Sequence, residues 1–160
     1  MNSYYKDLLK ENDFIFLLSL LVIDDNDNLD YFLYKFNISK QNQKRMKIID
    51  NFYKEKMTVN TFIEKNMNKV LYYHGKQAVL DILNLRIVKS KKINKTLIEL
   101  SQTYRGKKIP SMPISADLLM KKYNISEGKQ LGQKLKTIEQ IWVKNDFKIS
   151  DQQVDNIINN

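Results

Sequence analysis

The chain has 160 residues, with 27 Lys and Arg against 18 Asp and Glu, so its formal net charge is +9. It contains no cysteine and one histidine, which excludes disulfide scaffolds, cysteine-ligated zinc sites, iron–sulfur clusters and thiol nucleophiles. Only four glycines and two prolines interrupt the sequence, and this composition predicts an all-α protein.

Apolar residues recur at helical spacing in the first third of the chain. Phe14 to Val22 predicts one helix and Leu29 to Phe36 predicts another. Ser39 is expected to cap the next helix, which carries Met46 and Ile49 on its buried side.

The longest apolar run, Phe14 to Ile23, has ten residues, whereas a membrane-spanning helix needs about 20. Acidic residues lie on both sides of this run, which argues against a signal peptide. We therefore expect no membrane partner, and the lack of cysteine fits a cytoplasmic protein.

The densest group of carboxylates lies between Asp24 and Asp30, and two or three carboxylates are what a two-metal site needs. The spacing does not suit calcium, because a loop starting at Asp25 has Leu29 at ligand position 5 and Phe36 in place of the bidentate Glu. We predict a solvated loop between two helices and no metal site.

Thr61 and Glu64 have the spacing of a capping box and predict a helix over 61–67. Gly75 is expected to open a strongly apolar helix with a basic end, and helical spacing continues to Tyr104. The sequence RGKKIPSMP then reads as a linker, because it holds both prolines. We divide the chain into a helical region over 1–105, a linker over 106–113 and a helical region over 114–160.

Three serines are candidate helix caps in the C-terminal region. Ser115 is expected to cap a short helix, and Ser126 is expected to cap a helix whose apolar stripe runs from Leu131 to Trp142. Ser150 and Gln153 have the capping-box spacing of a short closing helix.

The excess positive charge is concentrated in the second half, since residues 1–80 have a net charge of +2 and residues 81–160 a net charge of +7. Eight basic residues and one acidic residue, Glu99, occur between Arg86 and Lys108. A compositional bias toward Lys would spread such charge evenly, whereas a phosphate-binding surface concentrates it. A solvated basic face is the other interpretation of the charge alone.

Candidate side chains for chemistry are few. His74 has no nearby Ser, Cys or second His to pair with, which favours a surface or capping role over catalysis. The glycines of EGKQLG lack the Lys-Ser/Thr ending of a phosphate-binding loop. Four tyrosines near basic residues could stack on unpaired bases, although helical tyrosines more often belong to the core: Tyr72, Tyr73, Tyr104 and Tyr123.

From Ile109 to Trp142 the chain resembles the C-terminal region of bacterial CCA-adding enzymes, the tRNA nucleotidyltransferase and poly(A) polymerase family. The matching motif positions are Pro113, Ile114, Ser115, Asp117, Leu118, Leu119, Gly128, Leu131, Gly132, Leu135 and Trp142. Ala116 stands where the family usually has Gly, and Lys129 stands where it usually has Pro. Tyr73 to Leu83 resembles an earlier helix of the family more weakly.

The resemblance implies an all-α fold with a multi-helix body, a body-like region over 1–105, and a small C-terminal helical tail, a tail-like region over 114–160. It also implies that the chain is the RNA-binding half of a split enzyme. The family's catalytic head carries a Gly-Ser segment and an Asp-x-Asp metal pair, and its next domain carries an Asp-x-x-Arg motif. The 160 residues contain neither a Gly-Ser segment followed by an Asp-x-Asp pair nor an Asp-x-x-Arg motif. We therefore expect no catalytic residue, metal ligand or cofactor here, and Mg²⁺ with CTP or ATP would belong to a separate catalytic head on another polypeptide.

The resemblance and the charge together predict a tRNA-binding protein that takes part in tRNA processing and is inactive alone. The residues expected to contact RNA phosphates are Arg86, Lys89, Lys91, Lys92, Lys95, Arg105, Lys107, Lys108, Lys121, Lys122 and Lys129. The family suggests the acceptor and TψC stem as the part of tRNA that is held. Three alternatives stay open: a helix-turn-helix DNA regulator reading DNA with residues 39–49 or 126–140, a non-functional remnant of a split gene, and a partner-binding module.

Overall fold

The computed structural model describes residues 3–24, 26–54, 62–90 and 94–159. Within these ranges there are nine α-helices and no strand, which confirms the all-α prediction. The helices are α1 (Ser3–Glu11), α2 (Phe14–Val22), α3 (Asn28–Lys35), α4 (Lys40–Lys54), α5 (Glu64–Lys89), α6 (Lys95–Gly106), α7 (Ala116–Tyr123), α8 (Lys129–Lys144) and α9 (Asp151–Asn159). The chain divides into two compact units, Met1–Lys108 and Ile109–Asn160.

Side-chain caps set the starts of α2 and α4. Asp13 precedes α2, and its Oδ1 accepts a hydrogen bond of 3.0 Å from the Phe16 N–H. Ser39 precedes α4, and its Oγ accepts from the Asn42 N–H at 3.4 Å, which confirms the predicted cap. Each cap satisfies one of the N–H groups that the first helical turn leaves unpaired.

The central helix of the first unit is α5, which packs against α4 and α6. Its residues 81–85 are all buried, so this part of the helix is surrounded by protein on every side. Two buried polar side chains on α5 and α6 are hydrogen-bonded: Ser101 donates to Asn84 Oδ1 at 3.1 Å, and Asn84 donates to Asn12 Oδ1 at 3.2 Å. The pairing avoids the cost of burying an unsatisfied polar group.

The axis of α5 is interrupted at Gly75, where φ is 82° and ψ is 175°. These angles lie in a region that only glycine occupies readily, because a Cβ would strain the backbone. The prediction that Gly75 opens a helix is confirmed, because a second helical stretch follows the kink at Gly75, while the helical residues before the kink begin at Glu64. The predicted cap Thr61 lies outside the described residues.

The second unit packs three helices around a core that includes Leu119, Leu131, Ile138 and Val154. Two predicted caps are confirmed. Ser115 Oγ accepts from the Leu118 N–H at 3.2 Å. At the start of α9, the Ser150 hydroxyl and the Gln153 amide exchange hydrogen bonds with each other's backbone N–H groups.

The predicted cap at Ser126 is wrong, because α8 begins only at Lys129 and Gly128 precedes it as the cap residue without a side-chain hydrogen bond. Gly128 has a φ of 150°, so the chain turns into the helix two residues later than the Ser pattern suggests. Lys129 takes the first helical position, where a proline is also well tolerated since its N–H has no intrahelical partner.

Two further features concern the segment between α6 and α7 and the length of the helices. The helix α6 ends at Gly106 and α7 begins at Ala116, and the residues between them form no helix. In the described ranges, no helix has both the length and the apolar character needed to cross a bilayer.

Candidate nucleic-acid interface

The predicted RNA-contacting residues lie in both units. Those described in the first unit are Arg86, Lys89, Lys95, Arg105, Lys107 and Lys108, and those in the second are Lys121, Lys122 and Lys129. Lys91 and Lys92 lie outside the described residues. The first unit carries 20 Lys and Arg against 12 Asp and Glu, a net charge of +8, while the second has a net charge of +1. The positive charge therefore belongs mainly to the first unit.

Arg86 and Lys89 are half-buried and pack against aromatic rings. The Arg86 guanidinium lies 5.7 Å from the centre of the Phe62 ring, and Lys89 Nζ lies 4.3 Å from the centre of the Tyr53 ring. Lys89 also donates a hydrogen bond to the Ile23 carbonyl. Both cations thus take part in packing within the first unit, through cation–π contacts and the covering of apolar surface.

Arg105 and Lys107 lie at the C-terminal end of α6 and form ion pairs with the last residue of α1 and the first residue of α5. Arg105 Nη2 lies 2.6 Å from Glu11 Oε2, and both side chains are about half exposed. Lys107 pairs with Glu64 and also lies 4.8 Å from the centre of the Tyr104 ring. The half-exposed pair of Arg105 contributes little to stability, so Arg105 can exchange its carboxylate for a phosphate at low cost. The Lys107 side chain is only 25% exposed and is less available.

The remaining predicted residues are exposed lysines. Lys95 is the first residue of α6 and Lys108 follows that helix, while Lys121 lies on α7 and Lys129 begins α8. None of these four has an ion-pair partner among the described residues. Lys122 differs, because its Nζ lies 3.9 Å from both Asp151 and Asp155.

The residues of the second unit that match the family motif have structural roles in that unit. Asp117 lies in the first turn of α7, where its charge suits the helix dipole, and Pro113 is exposed just before that helix. Gly132 lies within α8, with no atom near the place of a Cβ. Trp142 is buried and meets the Phe147 ring edge-on, with ring centres 4.9 Å apart.

Of the four tyrosines considered for stacking on bases, one is well exposed. Tyr104 is fully buried and its hydroxyl donates to Asn68 Oδ1 at 2.7 Å, which confirms the core interpretation for that residue. Tyr123 is half-buried and donates a hydrogen bond to Asp155. Tyr72 is half-buried as well, whereas Tyr73 keeps 55% of its surface exposed.

A buried ion pair that the sequence analysis did not predict joins α4 to α5. Arg45 Nε and Nη2 donate to the two carboxylate oxygens of Asp81 at 2.6 and 2.8 Å, and Arg45 Nη1 donates to Asp13 at 2.6 Å. The hydrogen bonds to Asp81 raise the pKa of Arg45. Partial burial opposes ionisation of Asp13, but the hydrogen bonds from Arg45 and the Phe16 N–H lower its pKa overall.

Two features of the sequence indicate this ion pair. Arg45 is one of three arginines among 27 basic residues, and arginine suits a buried carboxylate because its planar group donates two parallel hydrogen bonds. Asp81 is an acidic residue within an apolar run, and acidic side chains are rarely buried without a partner.

Beside this pair lies a cleft of about 320 Å³ between α4 and α5. The residues that line it are Gln41, Asn42, Lys44, Arg45 and Ile48 from α4, and Tyr73, His74, Gln77 and Ala78 from α5. Burial and the charge of Lys44 lower the pKa of His74, which favours the neutral imidazole. His74 is exposed, which confirms its predicted surface position.

The acidic segment around Asp24 lies between α2 and α3, as predicted, and Asp25 is outside the described residues. Asp24 Oδ1 accepts a hydrogen bond of 2.9 Å from the Asn26 N–H, which lowers the pKa of the Asp24 carboxyl. Across the described part of the chain, no three His, Asp or Glu side chains are grouped so that they could hold a metal ion.

Comparison with known proteins gives one result. No curated protein and no solved structure matches the chain significantly. The model of one family, described as tRNA nucleotidyltransferase domain 2, matches residues 7–154. Because the match covers most of the chain and extends into both units, the chain belongs to the tRNA nucleotidyltransferase domain 2 family.

Proposed function

We propose that this protein binds tRNA and positions its 3′ end for nucleotide addition by a nucleotidyltransferase head that lies outside these 160 residues. The observation that carries this proposal is the family match over residues 7–154, which includes the exposed lysines of both units. In the arrangement we propose, a separate polypeptide supplies the head, and that head binds Mg²⁺ and CTP or ATP.

The contacts we propose are phosphate contacts from exposed cations. Lys95 and Lys108 in the first unit, and Lys121 and Lys129 in the second, present ammonium groups to solvent. Such contacts fix the position of an RNA without reading its sequence, since phosphates are the same at every nucleotide. Double-helical RNA is recognised mainly through its shape and backbone. We therefore expect binding that depends on the fold of tRNA more than on its sequence.

Salt dependence follows from the same physics. Each lysine that neutralises a phosphate releases a condensed counterion, so the affinity falls as the salt concentration rises. Arg105 adds to this set when it exchanges its half-exposed pair with Glu11 for a phosphate. Arg86 and Lys89 contribute less, because both cations lie over aromatic rings.

The test is equilibrium binding of the purified chain to folded tRNA and to duplex DNA of matched length, at two salt concentrations. We expect tighter binding to tRNA, weakened by the higher salt. Equal or tighter binding to DNA would overturn the proposal in favour of a helix-turn-helix regulator. Absence of binding to either would overturn it in favour of a remnant or of a protein-interaction module.

A further inference from the structure

We propose that the cleft between α4 and α5 binds one unpaired nucleotide of an RNA, with the base stacked on Tyr73 and the adjoining phosphate contacted by Lys44. This inference deepens the proposed function and rests on it for the identity of the RNA. The cleft of about 320 Å³ falls in the range of about 300–1,000 Å³ that holds small ligands. It can therefore take a single nucleotide, whereas a duplex would need a much longer groove.

Tyr73 offers the stacking surface. Tyr73 keeps 55% of its surface exposed and lies beside two neighbouring rings. The Tyr72 ring meets it edge-on with ring centres 5.1 Å apart, and the His74 ring centre is 6.4 Å away. A partly exposed ring that packs against its neighbours loses little side-chain entropy when a base stacks on it.

The kink in α5 lies in the wall of this cleft. Gly75 leaves helical geometry directly after Tyr73 and His74, and two residues before Gln77. Nothing lies within 4 Å of the place where a Cβ of Gly75 would stand, so close packing does not explain the break. Departures from regular helix geometry often occur where a protein presents groups to a ligand.

The polar lining supplies the other contacts that a nucleotide needs. Lys44 is exposed, has no ion-pair partner among the described residues, and lies close enough to His74 for its charge to act on the imidazole. Its ammonium group is thus available to a phosphate. The side-chain amides of Gln41 and Asn42 line the same wall and offer donors and acceptors to a base edge.

At the floor of the cleft, the positive charge of Arg45 is balanced by the carboxylate of Asp81. Arg45 is held by the two oxygens of Asp81, and Gln77 Nε2 donates to Asp81 Oδ1 at 2.9 Å. The Arg45 charge is therefore already paired, which leaves Lys44 as the cation for a phosphate. A pre-organised floor lowers the entropic cost of binding.

The experiment measures binding of a short unpaired oligoribonucleotide and of an RNA duplex of the same length to the full chain. Tyr73→Ala should weaken binding of the unpaired oligonucleotide about tenfold or more, because stacking on one aromatic ring is lost. Tyr73→Phe keeps the ring and should bind like the unsubstituted protein. Lys44→Gln should weaken binding and reduce the salt dependence by about one phosphate contact.

The matched control is Tyr34→Ala, which removes a tyrosine that is 91% exposed on α3 and does not line the cleft. It should leave oligonucleotide binding unchanged. Equal effects of Tyr73→Ala and Tyr34→Ala, or no binding of the unpaired oligonucleotide, would overturn the cleft assignment. Binding of tRNA is measured in a separate assay. If the protein binds tRNA but Tyr73→Ala does not weaken binding of the unpaired oligonucleotide, the cleft assignment is rejected and the proposed function stands.

Discussion

Arg45 on α4 and Asp81 on α5 form a two-point ion pair in which the Asp81 side chain is completely buried and the Arg45 side chain keeps 18% of its surface exposed. The same guanidinium also reaches Asp13, the residue that caps α2. One side chain thus connects three helices of the first unit. It also forms the floor of the cleft that carries Tyr73.

Replacing Arg45 with Met should destabilise the first unit strongly. The substitution keeps the side-chain volume roughly the same but leaves the Asp81 carboxylate buried without its cation, which typically costs about 3–5 kcal/mol. We expect this loss in the free energy of unfolding, measured by urea denaturation and far-UV circular dichroism. Arg105→Met is the control, because its pair with Glu11 is half exposed and worth about 0–1 kcal/mol. Equal losses for the two variants would contradict a stabilising role of the buried pair.

Gly75→Ala should destabilise the protein by about 1–3 kcal/mol, since an L-residue is strained at the φ and ψ of this position. Steric contact does not add to the cost, because the space around the new Cβ is open. The matched control is the same substitution at Gly132, which lies within α8 at ordinary helical angles. There, alanine should stabilise the protein by about 0.5–1 kcal/mol. A neutral or stabilising Gly75→Ala would show that the kink is not fixed by the backbone.

His74 should titrate with a pKa below its usual value of 6.5, because burial and the charge of Lys44 both disfavour the imidazolium. It is the single histidine in the sequence, so its NMR signal can be followed directly as the pH is changed. Lys44→Gln removes the second cause and should raise the pKa, while burial remains. The folded state binds fewer protons here than the unfolded state, so the contribution of His74 to stability falls as the pH drops through about 6.5. A pKa unaffected by Lys44→Gln would contradict the proximity of the two groups.

The sequence predicted the helices well where the cause is local. The spacing of apolar residues from Phe14 to Val22 predicts α2 with the observed bounds, and the caps at Ser115 and Ser150 depend only on residues three positions away. The Ser126 cap was wrong because the backbone at Gly128 decides where α8 starts, and that conformation is not visible in a Ser pattern.

Features that depend on distant residues could not be predicted from the sequence. Asp81 follows Arg45 by 36 positions, so their pairing arises only when α4 packs on α5. The same limit applies to the basic residues, since nothing local distinguishes Lys89, which lies over Tyr53, from Lys95, which is exposed. The eleven candidate RNA contacts therefore stay a prediction, and mutagenesis has to sort them.

Exchanging Lys91, Lys92 and Lys95 together for Glu should abolish tRNA binding and leave the fold intact. The change replaces three attractions to phosphates by three repulsions, in the segment where the basic residues are most concentrated. Lys95 is the first residue of α6, where a carboxylate suits the helix dipole, and Asn94 still caps that helix through the Leu97 N–H. Filter binding of labelled tRNA measures the affinity, and circular dichroism verifies the helical content.

The control is a second triple exchange for Glu with the same change in net charge, at lysines that are exposed and outside the predicted set. These residues are Lys6, Lys10 and Lys65. If tRNA binding depends on where the charge lies, this control should weaken binding much less than the exchange at 91, 92 and 95. Equal losses would show that only the total charge matters, and unchanged affinity in the first variant would remove these lysines from the interface.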